Sequence, residues 1–317
     1  MLEFKEAKKY IEEANKIYIV GHINPDGDAI GSGFALYLAL KKIGKDVSVI
    51  LPKRSDIFDF LPHIDDAKSS IIENEIDLLI AVDASDKRRL SLPHDDIKKA
   101  KNIVMIDHHK KANPYGIVNV IDETMPATCQ IIYELIEYLG IELDIDIASY
   151  IYAGIISDTG SFNYSTTNER TLEIASKLVG LGINFSYICK KLNDTIKESK
   201  LKLIAIAINN MEVFDEGKIR YTYIDYNTIS GLGVDEEDAE GMTNYLRMVE
   251  GTEVAVYVRQ KSDGSNKVSL RSGDTVDVST VAILFGGGGH KRASGYTMTE
   301  DLPIAKQKLI NELRKLI

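Results

Sequence analysis

The sequence predicts an α/β fold: a doubly wound N-terminal domain on a mostly parallel sheet over residues 1–187, a helical linker over 188–210, and a smaller α+β domain over 211–317. Three observations carry this reading. Short runs rich in leucine and β-branched residues lack polar alternation, as strands covered on both faces do. Apolar patterns with the helical period fill the intervals. From Met211 the texture changes, and strands and helices follow one another in a different order.

Taken in order, strands are expected at Ile17–Gly21, Asp46–Leu51, Leu78–Asp83, Ile103–Asp107 and Ile117–Ile121. Helical patterns occupy Ala29–Ile43, Ala127–Leu139, Ile145–Ile156 and Asn168–Val179. Alternation of the two implies βαβ units. The stretch Phe185–Asn210 is mixed in charge and apolarity and reads as one helical connector. Beyond it, Val213–Phe214, Lys218–Asp225, Glu253–Gln260 and Lys267–Arg271 read as strands, with a turn at Ser262-Asp263-Gly264. Helices are expected at Glu236–Val249, Val278–Leu284 and Leu302–Leu316. The opening Met1-Leu2-Glu3-Phe4-Lys5-Glu6 is a charged helix start without the plan of a signal peptide.

The most informative segment is Gly21-His22-Ile23-Asn24-Pro25-Asp26-Gly27-Asp28, a strand-to-helix turn holding one imidazole and two carboxylates. Hard divalent cations take oxygen ligands with an occasional imidazole. Further candidates stand at the ends of apolar segments: Asp83, then Asp107-His108-His109, then Ser157-Asp158-Thr159-Gly160. A parallel sheet brings the loops at its strand carboxyl ends onto one rim. Each aspartate taken alone reads as a cap or turn residue; the ordered set reads as ligands, namely His22, Asp26, Asp28, Asp83, His108 and Asp158.

Far downstream stands Gly286-Gly287-Gly288-Gly289-His290-Lys291-Arg292-Ala293-Ser294-Gly295. Four positions without Cβ would let backbone N–H groups approach a phosphate closely. Gly287, Gly288, Gly289, His290, Lys291 and Arg292, with Arg271 and Ser272 at a strand end, are therefore the candidate substrate-binding residues. An arginine ending a strand is otherwise often just solvated, and a lysine pair such as Lys110-Lys111 reads as a solvated face.

Bulk composition agrees. The 317 residues are 44% hydrophobic and 27% charged, ordinary for a globular chain with sizeable cores. No apolar run approaches the ~18 residues that span a bilayer, so no membrane partner is expected. The net charge of −10 argues against coating long nucleic acid. Only Cys129 and Cys189 occur, far apart, which fits inert thiols in a reducing cytoplasm.

On these motifs the chain resembles the DHH phosphoesterase superfamily, DHH–DHHA1 branch, and within it the stand-alone bacterial nanoRNases and pAp phosphatases. The resemblance covers nearly the whole chain. It implies two Mn²⁺ ions, with Mg²⁺ or another divalent ion in their place as an alternative. One ion would lie on His22, Asp26 and Asp83, the other on Asp28, Asp83, His108 and Asp158, Asp83 bridging. It implies hydrolysis of short RNA oligonucleotides, dinucleotides and 3′-phosphoadenosine 5′-phosphate (pAp) by metal-activated water. His109 is then left to contact the scissile phosphate or protonate the leaving oxygen, and Asp107 to orient a ligand imidazole. A short substrate would have its reacting phosphate on the metals and its end on the C-terminal domain. Cyclic dinucleotides are a variant within the same class; a non-catalytic nucleotide-binding regulator is the rival from another. Members of this family often form homodimers, although no interface stripe is legible here.

Overall fold

The computed structural model describes residues 2–53, 56–110, 112–235, 238–273 and 275–317. The chain forms two compact units, Met1–Thr195 and Ile196–Ile317.

The first unit begins with α1 (Leu2–Glu13), which buries Phe4, Ala7 and Ile11 on one stripe. There follow β1 (Lys16–Val20), α2 (Gly27–Lys42), β2 (Asp46–Ile50), β3 (Ile76–Val82), α3 (His94–Ile97), β4 (Ala100–Asp107) and β5 (Val118–Ile121). Then come α4 (Thr128–Leu139), α5 (Ile145–Asp158), α6 (Glu169–Gly180) and α7 (Phe185–Asn193). The sheet order is β2-β1-β3-β4-β5, and every pair is parallel. Such an order has its switch point beside β1, where open sheets bind ligands.

The two faces of this sheet differ. Ile17 and Ile19 point into the main core with α1, α2, α4 and α5. Tyr18 and Val20 point the other way, into a smaller core closed by Ile71, Leu90, Leu92 and Ile97. The second face is thus covered by loops, short 3-10 turns and the four-residue α3 in place of long helices. Each fully buried Ile or Val contributes about 1.5–3 kcal/mol, which favours strands without polar alternation.

Helix ends are marked chemically. Asp26 caps α2 by accepting from the N–H groups of Asp28 and Ala29. Asp144 caps α5, and Asn168 with Thr171 forms a capping box at α6. Gly140, at φ +72°, stops α4.

The second unit contains α8 (Glu198–Asn209), β6 (Glu212–Phe214), β7 (Ile219–Ile224), α9 (Tyr226–Gly231), α10 (Met242–Arg247), β8 (Val254–Gln260) and β9 (Asn266–Ser272). It ends with α11 (Val278–Leu284), β10 (Gly288–His290), β11 (Ala293–Met298) and α12 (Leu302–Leu313). Its mixed sheet has the order β10-β11-β9-β8-β7-β6, with only β7 and β8 parallel. One face packs on α11 and α12, the other on α8, α9 and α10. The β8–β9 turn falls at Ser262-Asp263-Gly264 as expected, with Gly264 at φ +81° and the Asp263 carboxylate accepting from the Ser265 N–H.

Two expectations need correction, and two further features were not expected. The single connector helix is two helices: α7 buries Ile188 in the first core, while α8 places Leu203, Ile204 and Ala207 in the second unit. The helix expected from Glu236 begins only at Met242, because Gly241 sits at φ +83° and interrupts it; Glu236 and Glu237 lie outside the described residues, as does Lys111. The six-residue α9 carries no clear period and went unread. The glycine-rich segment, for which no strand is expected, holds two: Gly288–His290 and Ala293–Met298 pair as an antiparallel hairpin. Among the described residues, no single helix is long and apolar enough to cross a membrane. Both cysteines are free thiols.

Candidate metal centre

β1, β3 and β4 are neighbours in the sheet, so the segments that follow them share one rim. The segment after β1 carries His22. It is pinned by residues 89–91: the Ile23 N–H donates to the Arg89 carbonyl at 2.7 Å, and the Ser91 N–H to the Gly21 carbonyl at 3.0 Å. Asp83 follows β3 directly in the left-handed region, at φ +54°. Asn24, near His22, is similar at φ +53°. Such strained non-glycine residues persist where the surroundings over-determine them, and they cluster at functional sites.

α2 brings Asp28, and α5 brings Asp158 as its last residue. These two helices pack closely on glycine. A Cβ at Gly27 would lie 2.6 Å from the Ser157 side chain, and one at Gly154 would lie 2.1 Å from Cys129 Sγ and 3.0 Å from Asp28 Oδ1. The sequence marks Gly27 only as part of the strand-to-helix turn and does not mark Gly154, since nothing in their spacing announces a helix crossing.

The six expected ligands converge. Nε2 of His22 lies 3.8 Å from Asp26 Oδ1 and 3.5 Å from Asp83 Oδ2. Nε2 of His108 lies 3.2 Å from Asp158 Oδ2, 3.7 Å from Asp83 Oδ1 and 3.9 Å from Asp28 Oδ2. Three overlapping groups have their ligand atoms within 4.8 Å of one another: His22 with Asp26 and Asp83; Asp28 with His108 and Asp158; Asp83 with His108 and His109. Asp83 belongs to two of them.

The donor set fits a divalent cation. Nδ1 of His22 is 2.7 Å from the Ile23 carbonyl, and Nδ1 of His108 is 3.2 Å from the Met125 carbonyl. Those bonds assign the proton to Nδ1 and leave each Nε2 as the ligating atom. Nε2 of His108 is buried and has no aligned hydrogen-bond partner. Carboxylate oxygens with one imidazole, as in two of the three groups, suit Mn²⁺ or Mg²⁺ better than Zn²⁺.

Electrostatics point the same way. Burial, then the neighbouring Asp83 and Asp158, push Asp28 well above the usual carboxylate range. Burial also raises Asp83, against the opposing effect of His22. Partial burial would raise Asp26, but His22 and the α2 N–H groups outweigh it and hold it low. Burial would lower both imidazoles. The carboxylates prevail instead, Asp26 and Asp83 for His22 and chiefly Asp158 for His108, and each is pushed up to about 10. Without metal, protonated histidines therefore balance this cluster of acids.

The fully buried carboxylate of Asp107 orients His109, a member of the third group: Oδ1 lies 2.6 Å from His109 Nδ1 and accepts the His109 backbone N–H at 3.1 Å. Because Nδ1 is engaged, His109 offers Nε2 outward, and the Asp107 bond raises its pKa.

In the second unit the expected residues divide. Arg271 is half-buried; burial, and then Arg247, lower its pKa against the opposing field of Glu240. It is not a solvated strand end. His290, Lys291 and Arg292 are exposed at the β10–β11 turn. The turn is held against the β9 end, with the Ser272 N–H donating to the Arg292 carbonyl and the Val278 N–H to the Lys291 carbonyl. Ser272 does not face substrate: it is 3% exposed, and its hydroxyl donates to the Val276 carbonyl at 2.7 Å. The glycines are also not a uniform cradle. A Cβ at Gly287 would meet the Gly295 carbonyl at 2.2 Å, and one at Gly289 the Ala293 carbonyl at 2.5 Å, so packing against β11 requires both. The Gly287 N–H is already bonded to Ala282. Gly288 faces open space.

Comparison with known proteins agrees with the motifs. The family model described as the DHH family, N-terminal domain, matches residues 16–155, and the DHHA1 domain model matches residues 216–317. The chain is 30% identical over 310 residues to the bifunctional oligoribonuclease and PAP phosphatase NrnA of Thermus thermophilus, covering 94% of this chain and 89% of that one. It is 28% identical over 284 residues to the NrnA of Bacillus subtilis, covering 86% of each. Among solved structures, an exopolyphosphatase-related protein from Bacteroides fragilis superposes with a TM-score of 0.91 at 27% identity, covering 98% of this chain and 95% of that one. RecJ of Thermus thermophilus in complex with Mn²⁺ shares the fold, with a TM-score of 0.58 at 16% identity over 99% of this chain and 55% of that one. With its ligand motifs in order and both domains matched, the chain belongs to the DHH family of phosphoesterases, in the branch that carries a DHHA1 domain.

Proposed function

We infer that this chain is a Mn²⁺-dependent hydrolase of short oligoribonucleotides and of pAp. The observation that carries the reading is the convergence of four carboxylates and two imidazoles: His22, Asp26 and Asp83 form one group, Asp28, His108 and Asp158 another, and a third that joins Asp83 to His108 and His109 links them. The names of the NrnA relatives supply the substrate class. One cation would be held by His22, Asp26 and Asp83, a second by Asp28, His108 and Asp158 with Asp83 in common. Bound there, they would supply Lewis-acid activation of water and neutralise phosphate charge.

The chain's own residues account for the remaining steps. His109, whose pKa the bond to Asp107 raises, donates from Nε2 to the leaving oxygen. Its orientation is set in advance, because Asp107 holds both its ring and its backbone N–H. Arg271, Lys291 and Arg292 hold the phosphate or base that does not react, and Gly288 adds no side chain to that surface. These cations sit in a chain of net charge −10, so anion binding must be local.

The test is a substrate panel. With Mn²⁺, phosphate should be released from pAp and mononucleotides from RNAs of two to five residues. EDTA should abolish both, and added Mn²⁺ should restore them. No turnover of either substrate under Mn²⁺ would leave a nucleotide-binding regulator as the better reading.

A further inference from the structure

α4 starts without a cap of its own. Its N-cap position is Ala127, whose side chain accepts nothing, so the first N–H groups of the helix need an acceptor from elsewhere. Asp28, reaching across from α2, provides it. Oδ2 accepts the Thr128 N–H at 2.6 Å, and Oδ1 accepts the Cys129 N–H at 2.8 Å. The Thr128 hydroxyl turns to a second carboxylate and donates to Asp83 Oδ1 at 3.0 Å. Thr128 is fully buried. A single residue therefore bonds two of the proposed ligands, one through its backbone and one through its side chain. Each carboxylate oxygen has two lone pairs, so an accepted hydrogen bond leaves one for a cation.

We propose that Thr128 is a positioning residue of the metal centre: its amide and hydroxyl together set the orientation of Asp28 and Asp83 toward a shared cation. The inference rests on the metal reading above. Asp83 leaves β3 in a left-handed conformation, and its side chain needs a fixed partner to face the site. The hydroxyl supplies a directional donor that no aliphatic residue can replace.

The test is Mn²⁺ uptake by the intact chain without substrate, followed by the electron paramagnetic resonance signal of the free ion. Thr128→Val keeps the shape and removes the donor, and its Mn²⁺ affinity should fall about 10–100-fold, the usual loss when a partner of a ligand is removed. Thr128→Ser keeps the hydroxyl and should stay within about threefold. Thermal unfolding in EDTA checks that each variant folds. If valine prevents folding, Thr128→Ala, which removes the same donor without adding bulk, should show the same weakening. Native-like affinity in the valine or alanine variant overturns the inference, as does a serine variant as weak as valine, which would place the effect in the γ-methyl group. A native chain that takes up no Mn²⁺ overturns the metal reading and this inference with it.

Discussion

The rim of the first unit and the glycine-rich hairpin of the second are both marked by dense motifs, but those motifs mean different things. At the rim, each marked residue is a chemical group aimed at a common point, and its neighbours hold it there: Asp28 on the α4 N–H groups, His108 on Met125, His109 on Asp107. In the hairpin, two of the marked glycines are there because β11 leaves no room for a Cβ. A carboxylate at a strand end declares its chemistry by type, whereas a glycine declares only a missing side chain. The reason for that absence depends on what packs against it.

The largest expected effect breaks the rim. Asp83→Ala removes the residue common to two groups of ligand atoms and leaves the Thr128 hydroxyl without its acceptor. Losing several kcal/mol of transition-state stabilisation corresponds to about a 10³-fold fall in kcat. Steady-state assay on pAp checks this, and turnover near the native rate would remove Asp83 from the centre.

Asp107→Asn comes next. It keeps the buried shape but loses the charge that raises the His109 pKa. We expect kcat to fall about 10²-fold while Mn²⁺ uptake stays native, in keeping with loss of general-acid catalysis. A parallel loss of Mn²⁺ binding would instead make His109 a ligand.

Protons compete with metal at the rim. His22 and His108 are pushed up to about 10, and Asp28 and Asp83 are raised as well, so Mn²⁺ must displace protons at neutral pH. Apparent Mn²⁺ affinity should fall between pH 9 and pH 6, by about tenfold per pH unit for each proton displaced. In EDTA the sign for stability is opposite. Folded-state pKa values raised above the unfolded ones stabilise at low pH, and that stability is lost as pH climbs toward 10. Titrations and denaturant melts at several pH values read the two slopes, and flat profiles in both would contradict the assigned cluster.

The smallest effects separate packing from binding in the hairpin. Gly287→Ala should destabilise the second unit by about 1–3 kcal/mol through overpacking, with the KM of the folded protein little changed. Gly288→Ala faces open space and should leave stability intact while raising KM for nucleotides, as should Arg292→Ala. Equal KM effects at Gly287 and Gly288 would restore the idea of a continuous phosphate cradle.

Much of this was legible beforehand. The five parallel strands follow from apolar runs that need cover on both sides, and the six ligand candidates from residue type at the ends of those runs. Type and position along the chain suffice there, because a parallel sheet carries every strand end to the same rim. The break between α7 and α8, the short α9, and the hairpin from Gly288 to Met298 were not legible, because local pattern is weak there and long-range pairing decides. The Ser272 hydroxyl turns inward to Val276, and the sequence did not say which imidazole Asp107 holds, since a partner is a matter of distance and not of order. Thr128, Gly154 and the packing role of Gly27 passed unnoticed for the same reason.

The order of residues alone thus determined that acids and imidazoles would meet at the ends of parallel strands, because strand direction and side-chain chemistry are local properties that the chain carries with it. Only the folded arrangement decided which oxygen faces which nitrogen, that α4 offers its N–H groups to an aspartate of α2, and that one threonine bonds two ligands. Those contacts join residues from 45 to 101 positions apart, and no local preference encodes a distance across that span.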